Sequence, residues 1–444
     1  MVPMEILEQT CDTSFSLAKK YINRFINEVL EHGDNSDKNE GIIFGTNSLL
    51  VERNKFRKIY DKSQLLPPKY DALKFIPDSK CEYTSPLNNV SRPASPLYLN
   101  WHLTSSCSTD CRYCYLKRNT DGQILPLSRV LALLEEAKSI GVMSLTLLGG
   151  DVLVYPHLFD VLRVMQEYRF MPTFLSTKTF ISKNTALRLS SFLDVIYELQ
   201  FSIDSHIPEI ADFLVGAKDF CSNIFKSIDN SLEAGINVSA KAVITPYNVL
   251  TVPNLYRELK KRGVGSVRLS TYMRSATDNP SDLFLGSTAY RWLNKEVEKL
   301  RDDFPDDTIY VQNGEPITEQ RTVEERTSLW KSRNRCVAGR EGMLICSDGK
   351  VIPCEQIPET SEYICGDVSY QSILDVWNGE SLKKMTYGMP RENFVGQPCY
   401  DCVERVSCLD LMGICVRDLA KYYGNIYQPP PNCPHHVLPF VRQV

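Results

Sequence analysis

The chain has 444 residues, more than one ordinary domain needs, and this length indicates two or three domains. Hydrophobic residues make up 43% of the sequence and charged residues 23%, a composition that can bury proper cores. The formal net charge is -4, so no excess of basic residues points to nucleic acid or to an anionic membrane as a partner.

The chain has 15 cysteines, and they are unevenly placed. Three lie within residues 107–114 and nine follow residue 335. The first residues contain no basic segment followed by an apolar run, so we predict no signal peptide, and no apolar stretch approaches the roughly 20 residues that span a bilayer. Cytosolic thiols stay reduced, and clustered ones usually bind metal or do chemistry. We therefore predict a soluble, cytoplasmic protein with two metal-bearing regions.

Residues 1–95 are predicted to form an N-terminal extension. Helical apolar spacing runs through residues 13–32. Residues 41–52 are predicted to form a hairpin with its turn at Gly45-Thr46-Asn47. Many Pro, Ser and Asn residues in 66–96 indicate a linker or an irregular wrap.

From residue 96 to residue 305, strand patterns and helix patterns alternate. The predicted strands are 97–103, 144–149, 171–177, 196–204, 236–245 and 265–274. The predicted helices lie near 128–140, 156–168, 183–193, 222–234, 251–262 and 287–301. Repeated strand-helix units form a right-handed parallel array, and six units are fewer than the eight that close a TIM barrel. We predict an α/β fold, a partial (β/α)6 TIM-like barrel whose active face lies at the carboxyl ends of the strands.

Residues 306–444 are predicted to form a third, cysteine-rich domain. Cysteines, turns and prolines replace the alternation there, and only one short helix is predicted, near 371–377. The region is too irregular to fold on apolar burial alone, so we expect metal binding to add stability that the core does not supply.

Cys107, Cys111 and Cys114 lie on the loop after the first barrel strand, in the stretch SSCSTDCRYC. Structural zinc is usually held by four ligands that include C-x2-C pairs. The spacing here is C-x3-C-x2-C, with no fourth Cys or His nearby. Three thiolates can hold a [4Fe–4S] cluster and leave one iron without a protein ligand. Such an iron would accept a small molecule.

This C-x3-C-x-Y-C pattern, with Tyr113 before the last cysteine, resembles the signature of the radical S-adenosylmethionine (radical SAM) superfamily. The resemblance implies that the open iron binds the amino and carboxylate groups of SAM. An electron from the cluster then cleaves SAM to methionine and a 5′-deoxyadenosyl radical, which removes a hydrogen atom from the substrate. The resemblance also implies the radical SAM type of partial barrel.

Two strand-end motifs extend the resemblance. LLGGDVL is similar to the family's GGE-type motif, with Asp151 in place of Glu, and implies that the backbone at Gly149 and Gly150 meets the SAM amino group. QFSIDS ends the fourth strand, and its Ser202 and Asp204 resemble polar residues that face SAM in relatives.

The residue that holds the SAM carboxylate departs from the family pattern. Leu214 lies where many relatives carry the Arg of an Arg-Gly pair. Lys241 on the fifth strand or Arg268 on the sixth is the expected replacement, and a role as a solvated rim charge stays open for both. Asn248, just after the fifth strand, is a further expected SAM contact.

The C-terminal cysteines resemble the SPASM domain of radical SAM peptide-modifying enzymes, which holds two auxiliary [4Fe–4S] clusters. The order is C-x12-G-x4-C followed by C-x2-C-x5-C, although the C-x2-C pair alone would also suit zinc. The resemblance implies a nearer cluster held by Cys336, Cys354 and Cys415, with Cys346, Cys365 or an open iron at the fourth position. It implies a distal cluster held by Cys399, Cys402, Cys408 and Cys433. Together with the SAM-binding cluster, the chain is expected to carry three clusters.

SPASM proteins mostly act on peptides or proteins, so the resemblance implies a maturase for a ribosomally made precursor peptide. Two auxiliary clusters fit oxidative chemistry, because a substrate radical that forms a bond and loses a proton leaves an extra electron. The expected product is a C–C, ether or thioether crosslink. The alternatives are formylglycine formation, as in anaerobic sulfatase-maturating enzymes, and a non-catalytic Fe–S electron carrier.

The expected partners are the precursor peptide and an external electron donor such as flavodoxin or ferredoxin, with neither nucleic acid nor membrane involved. The hairpin at 41–52 would offer a sheet edge to which a leader peptide adds as a strand. The opposing interpretation is that residues 1–95 only cap the barrel. The general base stays unassigned among the Asp, Glu and Tyr residues of the barrel mouth.

Overall fold

The computed structural model describes most of the barrel and of the cysteine-rich region. The described residues are 42–44, 49–51, 92–116, 123–275, 280–312, 322–386, 388–430 and 433–435. Strands β1 (Ile42–Phe44) and β2 (Leu49–Val51) pair antiparallel, which confirms the strands of the predicted hairpin. The predicted helix at 13–32, the hairpin turn and residues 66–91 of the linker lie outside the described residues.

Parallel strands form the centre of the fold and confirm the predicted partial barrel of six strand-helix units. They are β3 (Tyr98–Thr104), β4 (Ser144–Gly149), β5 (Thr173–Thr177), β6 (Ile196–Ser202), β7 (Val238–Ile244) and β8 (Ser266–Thr271). β3 pairs with β4, and β5 to β8 pair in chain order. A single parallel bridge between Ser144 and Met171 joins the two sets. A short strand, β9 (Val311–Gln312), pairs in parallel with β8.

Helices follow the strands and agree with the predicted alternation. They are α1 (Leu127–Ser139), α2 (Leu158–Tyr168), α3 (Lys183–Ser190), α4 (Pro208–Val215), α5 (Phe220–Glu233), α6 (Val252–Lys261) and α7 (Ser287–Asp303). The sequence did not predict α4, which begins with Pro208 and ends at Gly216 in the left-handed conformation. Proline at the start and glycine after the end are the ordinary limits of a helix. Short 3-10 helices cover Val152–Val154, Val249–Thr251, Ser281–Leu283 and Arg391–Phe394.

The apolar core lies between the strands and the helices. On β6, Leu199 and Phe201 are completely buried. On α6, Leu255 and Leu259 are four residues apart and present one buried face. Because successive strand residues point to opposite sides, Ser202 and its alternate neighbours face the other way, into the barrel. This face of β6 therefore presents the polar side chains Gln200 and Ser202.

The cysteine-rich region contains more regular structure than predicted. Its strands are β10 (Gly342–Ile345), β11 (Lys350–Ile352) and β12 (Gly366–Asp367). Its helices are α8 (Val323–Lys331), α9 (Ile373–Asn378), α10 (Glu380–Thr386) and α11 (Val416–Tyr423), with a π-helix over Val406–Leu411. α9 lies where the sequence predicted a helix, near residues 371–377, and confirms that prediction. Within the described ranges, no helix combines the length and the apolar character that a bilayer crossing requires.

The barrel sheet continues directly into the cysteine-rich region. β10 pairs in parallel with β3, with Gly342 opposite Tyr98 and Ile345 opposite Trp101. β11 and β12 then extend this sheet in antiparallel fashion. A Cβ atom at Gly342 would overlap the ring of Tyr98, so the close approach of the two strands requires glycine there. The strand that leads into the first cysteine loop is thus hydrogen-bonded to the second cysteine region.

Helix α1 anchors the same region through two side chains. Arg129 donates hydrogen bonds to the carbonyls of Val368 (2.8 Å) and Gln371 (2.7 Å). The carboxylate of Glu136 accepts a hydrogen bond of 2.6 Å from the backbone N–H of Ile373. These bonds attach the start of α9 to the outside of the barrel.

Candidate active site

The three thiols after β3 face one another across a single small loop. The hydroxyl of Thr109 lies 3.3 Å from the sulfur of Cys107 and 3.4 Å from that of Cys111. The backbone N–H of Cys114 donates to the carbonyl of Cys111 at 3.1 Å. Burial raises the pKa of the Cys114 thiol, and the charges of Cys111 and Cys107 raise it further. The loop therefore gathers three sulfur ligands at the carboxyl end of the barrel.

The end of β4 holds this loop from one side. The backbone N–H groups of Gly150 and Asp151 donate to the carbonyls of Thr104 (2.8 Å) and Ser106 (2.9 Å). A Cβ atom at Gly150 would overlap the carbonyl oxygen of Ser106. The glycine pair therefore allows two backbone segments to touch, and this contact sets the start of the cysteine loop.

The end of α4 holds the loop from the other side. The N–H of Asp110 donates to the carbonyl of Val215 at 2.8 Å, and the N–H of Arg112 donates to that of Leu214 at 3.0 Å. Gly216 has a φ of +62°, and a Cβ atom there would lie 2.7 Å from the carbonyl oxygen of Asp110. Sequence reasoning missed this support, although Pro208 and Gly216 signal a helix between them.

The carboxylate of Asp151 accepts hydrogen bonds from other groups of the protein. It is 4% exposed and accepts hydrogen bonds from the N–H groups of Leu153 (2.9 Å), Lys178 (2.7 Å) and Thr179 (3.0 Å). The hydroxyl of Thr177 donates to both carboxylate oxygens at 2.9 Å. The side chain of the GGD motif thus ties the end of β4 to the end of β5.

Tyr113 and Asp204 form a buried pair beside the thiols. The Tyr113 hydroxyl donates a short hydrogen bond to one carboxylate oxygen of Asp204, and the other oxygen accepts from the N–H of Val243 at 2.8 Å. Burial raises the pKa of Asp204 above its ordinary range, while the charge of Lys178 opposes the shift. Burial also raises the pKa of Tyr113, and the Asp204 charge adds to it. The phenol therefore stays neutral and donates.

Two lysines bring positive charge to the barrel mouth. The Lys178 ammonium lies 5.3 Å from the centre of the Tyr113 ring. Burial lowers the pKa of Lys178. The negative charges of Cys111 and Asp204 have a larger combined effect, and the net result is a raised pKa. Burial lowers the pKa of Lys241, and the neighbouring charges of Lys178 and Arg268 lower it further. A negative group bound between them would relieve this repulsion.

Ser202 ends β6, whereas Lys241 lies in the middle of β7 and Arg268 lies near the start of β8. Ser202 lies beside Lys241 in the parallel register, and Lys241 lies beside Arg268. The Arg268 guanidinium is 3.5 Å from the carboxylate of Glu198, which lies near the start of β6, whereas Asp204 follows the end of that strand. Arg268 therefore points away from the rim where Asp204 lies.

Asn248 is completely buried, and its amide is fully engaged within the protein. Its oxygen accepts from the N–H of Thr245 at 2.7 Å. Its nitrogen donates to the carbonyls of Asp204 (2.7 Å) and Val243 (2.8 Å). Asn248 thus closes the turn after β7 onto the end of β6.

Cys336, Cys354 and Cys415 form a second set of thiols. Burial raises the pKa of Cys354 to about 11 and that of Cys415 to about 12, and the charge of Cys336 contributes to both. The N–H of Cys336 donates to the carbonyl of Met412 at 2.9 Å, which brings the distant ends of this region together. The guanidinium of Arg417 lies among the three thiols and lowers the pKa of each.

Cys346 and Cys365 are buried elsewhere in the region. Cys346 is completely buried in the apolar core, where burial raises its pKa and the charges of Glu359 and Asp348 contribute. Burial alone raises the pKa of Cys365 to about 12. The fourth position of the nearer cluster, assigned to Cys346, Cys365 or an open iron, stays a prediction.

Cys399, Cys402, Cys408 and Cys433 form a third set. Burial raises the pKa of Cys399 to about 11, with the charges of Cys433 and Cys402 contributing. Burial raises the pKa of Cys408 to about 12, while the charge of Arg333 opposes the shift. A guanidinium nitrogen of Arg333 donates to the Cys408 sulfur at 3.7 Å.

The donor chemistry of these sets fits iron-sulfur clusters. Among the described residues, no group of three His, Cys, Asp or Glu side chains is close enough to hold a single metal ion. In a [4Fe–4S] cluster each thiolate binds a different iron, and cluster sulfurs accept hydrogen bonds. Nε of Arg417, Nε of Arg333 and Nη1 of Arg405 are buried without a hydrogen-bond partner in the described part of the chain. Cluster sulfides would supply the acceptors.

One hydrogen bond connects the first two thiol sets. The hydroxyl of Tyr115, next to Cys114, donates a short hydrogen bond to the carboxylate of Glu355, next to Cys354. Burial raises the pKa of Glu355, and the charge of His102 on β3 lowers it. The ligand loops of the barrel and of the cysteine-rich region are therefore in direct contact.

Family models match both cysteine regions. The model of the radical SAM superfamily matches residues 101–270, and that of SPASM, an iron-sulfur cluster-binding domain, matches residues 336–403. The chain therefore contains a radical SAM domain followed by a SPASM domain. The radical SAM match contains the first cysteine loop and all six barrel strands except their outermost residues.

Two curated proteins show how far the likeness extends in sequence. PqqA peptide cyclase of Gluconobacter oxydans (strain 621H) is 21% identical over 360 residues, which cover 78% of this chain and 94% of the relative. The AdoMet-dependent heme synthase of Methanosarcina barkeri (strain Fusaro / DSM 804) is 19% identical over 310 residues, 67% of this chain and 86% of the relative.

Two solved structures resemble the fold. Streptococcus suis SuiB bound to precursor peptide SuiA has a TM-score of 0.58 at 18% identity, covering 94% of this chain and 89% of that chain. Native anSMEcpe with bound AdoMet and Cp18Cys peptide has a TM-score of 0.54 at 15% identity, covering 77% of this chain and 94% of that chain. At these identities the likeness shows the fold alone.

Proposed function

We propose that this radical SAM/SPASM protein is a peptide maturase. It abstracts a hydrogen atom from a ribosomally made precursor peptide and forms an oxidative crosslink, which is a C–C, ether or thioether bond. The observation that carries the proposal is the pairing of β10 with β3, which joins the auxiliary cysteine region to the strand leading into the SAM-type loop. An electron acceptor next to the radical site suits oxidative bond formation.

Some of the similar proteins are linked to a peptide by their names, and others are not. PqqA peptide cyclase is named for a reaction on a peptide, and the SuiB structure contains a precursor peptide. The heme synthase is named for a different product, so membership of the superfamily does not by itself decide the substrate. The SPASM match and the two peptide-linked relatives together favour a peptide.

The first cysteine set is proposed to bind the cluster that holds SAM. Cys107, Cys111 and Cys114 would supply three thiolates and leave the fourth iron to SAM. A reduced cluster bound there would supply the electron that cleaves SAM to methionine and a 5′-deoxyadenosyl radical. Gly149 and Gly150 keep the loop against the end of β4, at the carboxyl end of the barrel.

Residues at the strand ends would orient SAM. The pair of Tyr113 and Asp204 places a buried carboxylate beside the thiols, and Ser202 adds a hydroxyl at the same rim. Lys241 is the better placed residue for the SAM carboxylate, because Arg268 points toward Glu198. We further propose that Asp151 and Asn248, whose side chains are engaged internally, shape the SAM site through the backbone that they hold.

We propose that the second and third thiol sets bind the two auxiliary clusters. The nearer cluster would use Cys336, Cys354 and Cys415, which leaves its fourth position open or filled by a group from the substrate. The distal cluster would use Cys399, Cys402, Cys408 and Cys433. With the SAM-binding cluster, the enzyme would carry three [4Fe–4S] clusters.

Further proposals concern partners and domain limits. A flavodoxin or ferredoxin would supply electrons, and a cytoplasmic location would keep the thiols reduced. We place the N-terminal extension at 1–95, the barrel at 96–305 and the SPASM domain at 306–444. The antiparallel pair of β1 and β2 offers a sheet edge for a leader peptide.

A second candidate function is the oxidation of Cys or Ser to formylglycine. A specific observation favours it, since the structure of anSMEcpe, which contains a Cp18Cys peptide, covers 77% of this chain. The third candidate, a non-catalytic electron carrier, would not need the polar strand ends that surround the first cysteine loop. Crosslinking remains the proposal, because the SuiB structure covers 94% of this chain, including part of the N-terminal extension.

Co-expression with a small peptide encoded beside this gene tests the function. The peptide is recovered under anaerobic conditions and examined by tandem mass spectrometry, with the Cys111→Ala variant as the control. Loss of two hydrogens per link, together with fragments that stay joined across the link, is expected for crosslinking.

Other results would overturn the proposal in distinct ways. A modified peptide that reacts with a hydrazide probe contains an aldehyde and indicates formylglycine formation. An unmodified peptide combined with normal SAM cleavage removes the crosslinking proposal for that peptide. A reconstituted protein that cannot cleave SAM at all indicates an electron carrier.

A further inference from the structure

Arg333 is fixed in position beside the third thiol set. It lies just after α8 (Val323–Lys331), and one terminal nitrogen donates to the carbonyl of Trp330 at 2.6 Å. The guanidinium carbon lies 3.6 Å from the centre of the Trp330 ring, so the planar group is stacked. The other terminal nitrogen donates to the sulfur of Cys408 at 3.7 Å. A stacked and hydrogen-bonded guanidinium has little freedom to turn away.

The surroundings of Arg333 are negative on the side of the thiols. The charges of Cys408, Cys433 and Glu404 all act on the guanidinium, which is half-buried. Glu404 itself lies 3.2 Å from His435. Within the described ranges, no carboxylate lies at ion-pair distance from Arg333. The thiolate of Cys408 is therefore the negative group that this side chain contacts directly.

We propose that Arg333 raises the reduction potential of the distal auxiliary cluster by donating a charge-assisted hydrogen bond to the Cys408 thiolate. The inference rests on the proposed cluster assignment. Reduction adds negative charge to a cluster, and a cation that also donates to a ligand sulfur favours this reduced form. Arg333 is a positioning residue that acts through Cys408, and its effect is to make the distal cluster a better electron acceptor.

Arg391 provides a matched control in the same region. It is exposed, donates to the carbonyl of Tyr400 at 2.9 Å, and pairs with Asp401 at 2.7 Å. Its guanidinium also lies over the Tyr400 ring at 4.4 Å. Arg391 thus carries the same charge next to Tyr400 and Asp401, which separate the ligand cysteines Cys399 and Cys402 in the sequence, without a hydrogen bond to sulfur among the described contacts. Its removal tests the effect of charge alone.

The experiment is a potentiometric titration of the full-length, anaerobically reconstituted protein, followed by electron paramagnetic resonance. The distal cluster is identified as the signal that Cys402→Ala removes, together with about four irons. We expect Arg333→Gln to keep the full iron content and to shift the distal midpoint potential to a more negative value. Arg333→Lys should shift it less in the same direction, and Arg391→Gln should leave it unchanged.

Three outcomes would overturn the inference. One is an unchanged distal potential in Arg333→Gln with full iron content. Another is an equal shift in Arg391→Gln, which would show that any nearby charge suffices. The third is loss of the distal cluster from both Arg333 variants, which would give Arg333 a role in assembly. By contrast, if Cys402→Ala removes no signal and no iron, the cluster assignment itself fails.

Discussion

The barrel and the cysteine-rich region share one apolar core, but the cysteine-rich region also buries an arginine completely. In the barrel, strand residues such as Leu145 and Leu199 are completely buried against the helices. In the cysteine-rich region, Arg340 is completely buried and donates to the carbonyls of Thr386 (2.7 Å) and Leu409 (2.6 Å). Full burial of an aliphatic side chain contributes about 1.5–3 kcal/mol, whereas a buried cation is favourable only when its hydrogen bonds are made.

We infer that the folded states of the two regions are stabilised by different interactions. The barrel has a continuous apolar core and regular hydrogen-bonded strands. The cysteine-rich region shares this core around α9, but its strands are short and it contains two sets of thiols that would bind clusters. The barrel should therefore fold without iron, while the other region should depend on it. The following experiments test this contrast, starting with the largest expected effect.

Cys111→Ala should abolish SAM cleavage completely, because the first cluster loses one of three thiolates. On the proposed assignment of three clusters, the other sets lie on separate segments, so the variant should keep about eight of about twelve irons. Iron analysis and chromatography of 5′-deoxyadenosine measure the two quantities. Loss of all iron would mean that the cysteine-rich region cannot hold its clusters independently of the first set.

Removal of iron by a chelator should loosen α11 (Val416–Tyr423) much more than β6. Amide hydrogen exchange in α11 should become faster by about a thousandfold or more, because ligand binding and folding are coupled there. Exchange in β6 should change little, since its protection comes from apolar burial. Equal acceleration in both elements would contradict the contrast between the regions.

Gly150→Ala should disrupt the first cluster site from within the barrel. The added Cβ would overlap the carbonyl oxygens of Ser105 and Ser106, at a cost of about 3 kcal/mol, and would push the cysteine loop away. We expect loss of about four irons and of SAM cleavage. Gly286→Ala is the control, because nothing lies within 4 Å of a Cβ there. Normal iron content in Gly150→Ala would show that the loop adapts.

Tyr113→Phe should reduce the free energy of unfolding by about 1.5–3 kcal/mol, because the buried carboxylate of Asp204 loses a hydrogen bond. Anaerobic urea titration measures this change. Tyr155→Phe is the matched control. Tyr155 is 3% exposed and its hydroxyl has no hydrogen-bond partner among the described residues, so its removal should be neutral or slightly stabilising. Equal effects of the two variants would mean that the Asp204 bond contributes nothing.

Arg129→Gln should have the smallest effect, about 1–2 kcal/mol on the free energy of unfolding. It removes two hydrogen bonds that attach the cysteine-rich region to α1. Arg163→Gln, at an exposed position on α2, should change stability by less than about 0.5 kcal/mol. If α9 exchanges no faster in Arg129→Gln, then the β3–β10 pairing alone holds the two regions together.

Prediction from the sequence was most successful in the barrel, where apolar residues recur at the regular spacing of strands and helices. The predicted starts and ends of the barrel strands agree with β3 to β8 within a few residues, because strand and helix patterns alternate with buried apolar positions. Helix α4 was missed because it is short and its interval resembles a loop. In the cysteine-rich region the short helices α8, α10 and α11 were missed, although the capping box of Thr322 and Glu325 is a local signal for the start of α8.

The sequence by itself determined the alternation of the barrel, the three-cysteine loop after its first strand, and the second field of cysteines. Local residue types and spacings carry these features, and they do not depend on contacts with distant segments. Only the tertiary structure decided that β10 pairs with β3, that Val215 and Gly150 hold the cysteine loop from two sides, and that Arg333 contacts Cys408. The physical reason is that these contacts join residues far apart in the chain, and no local period encodes them.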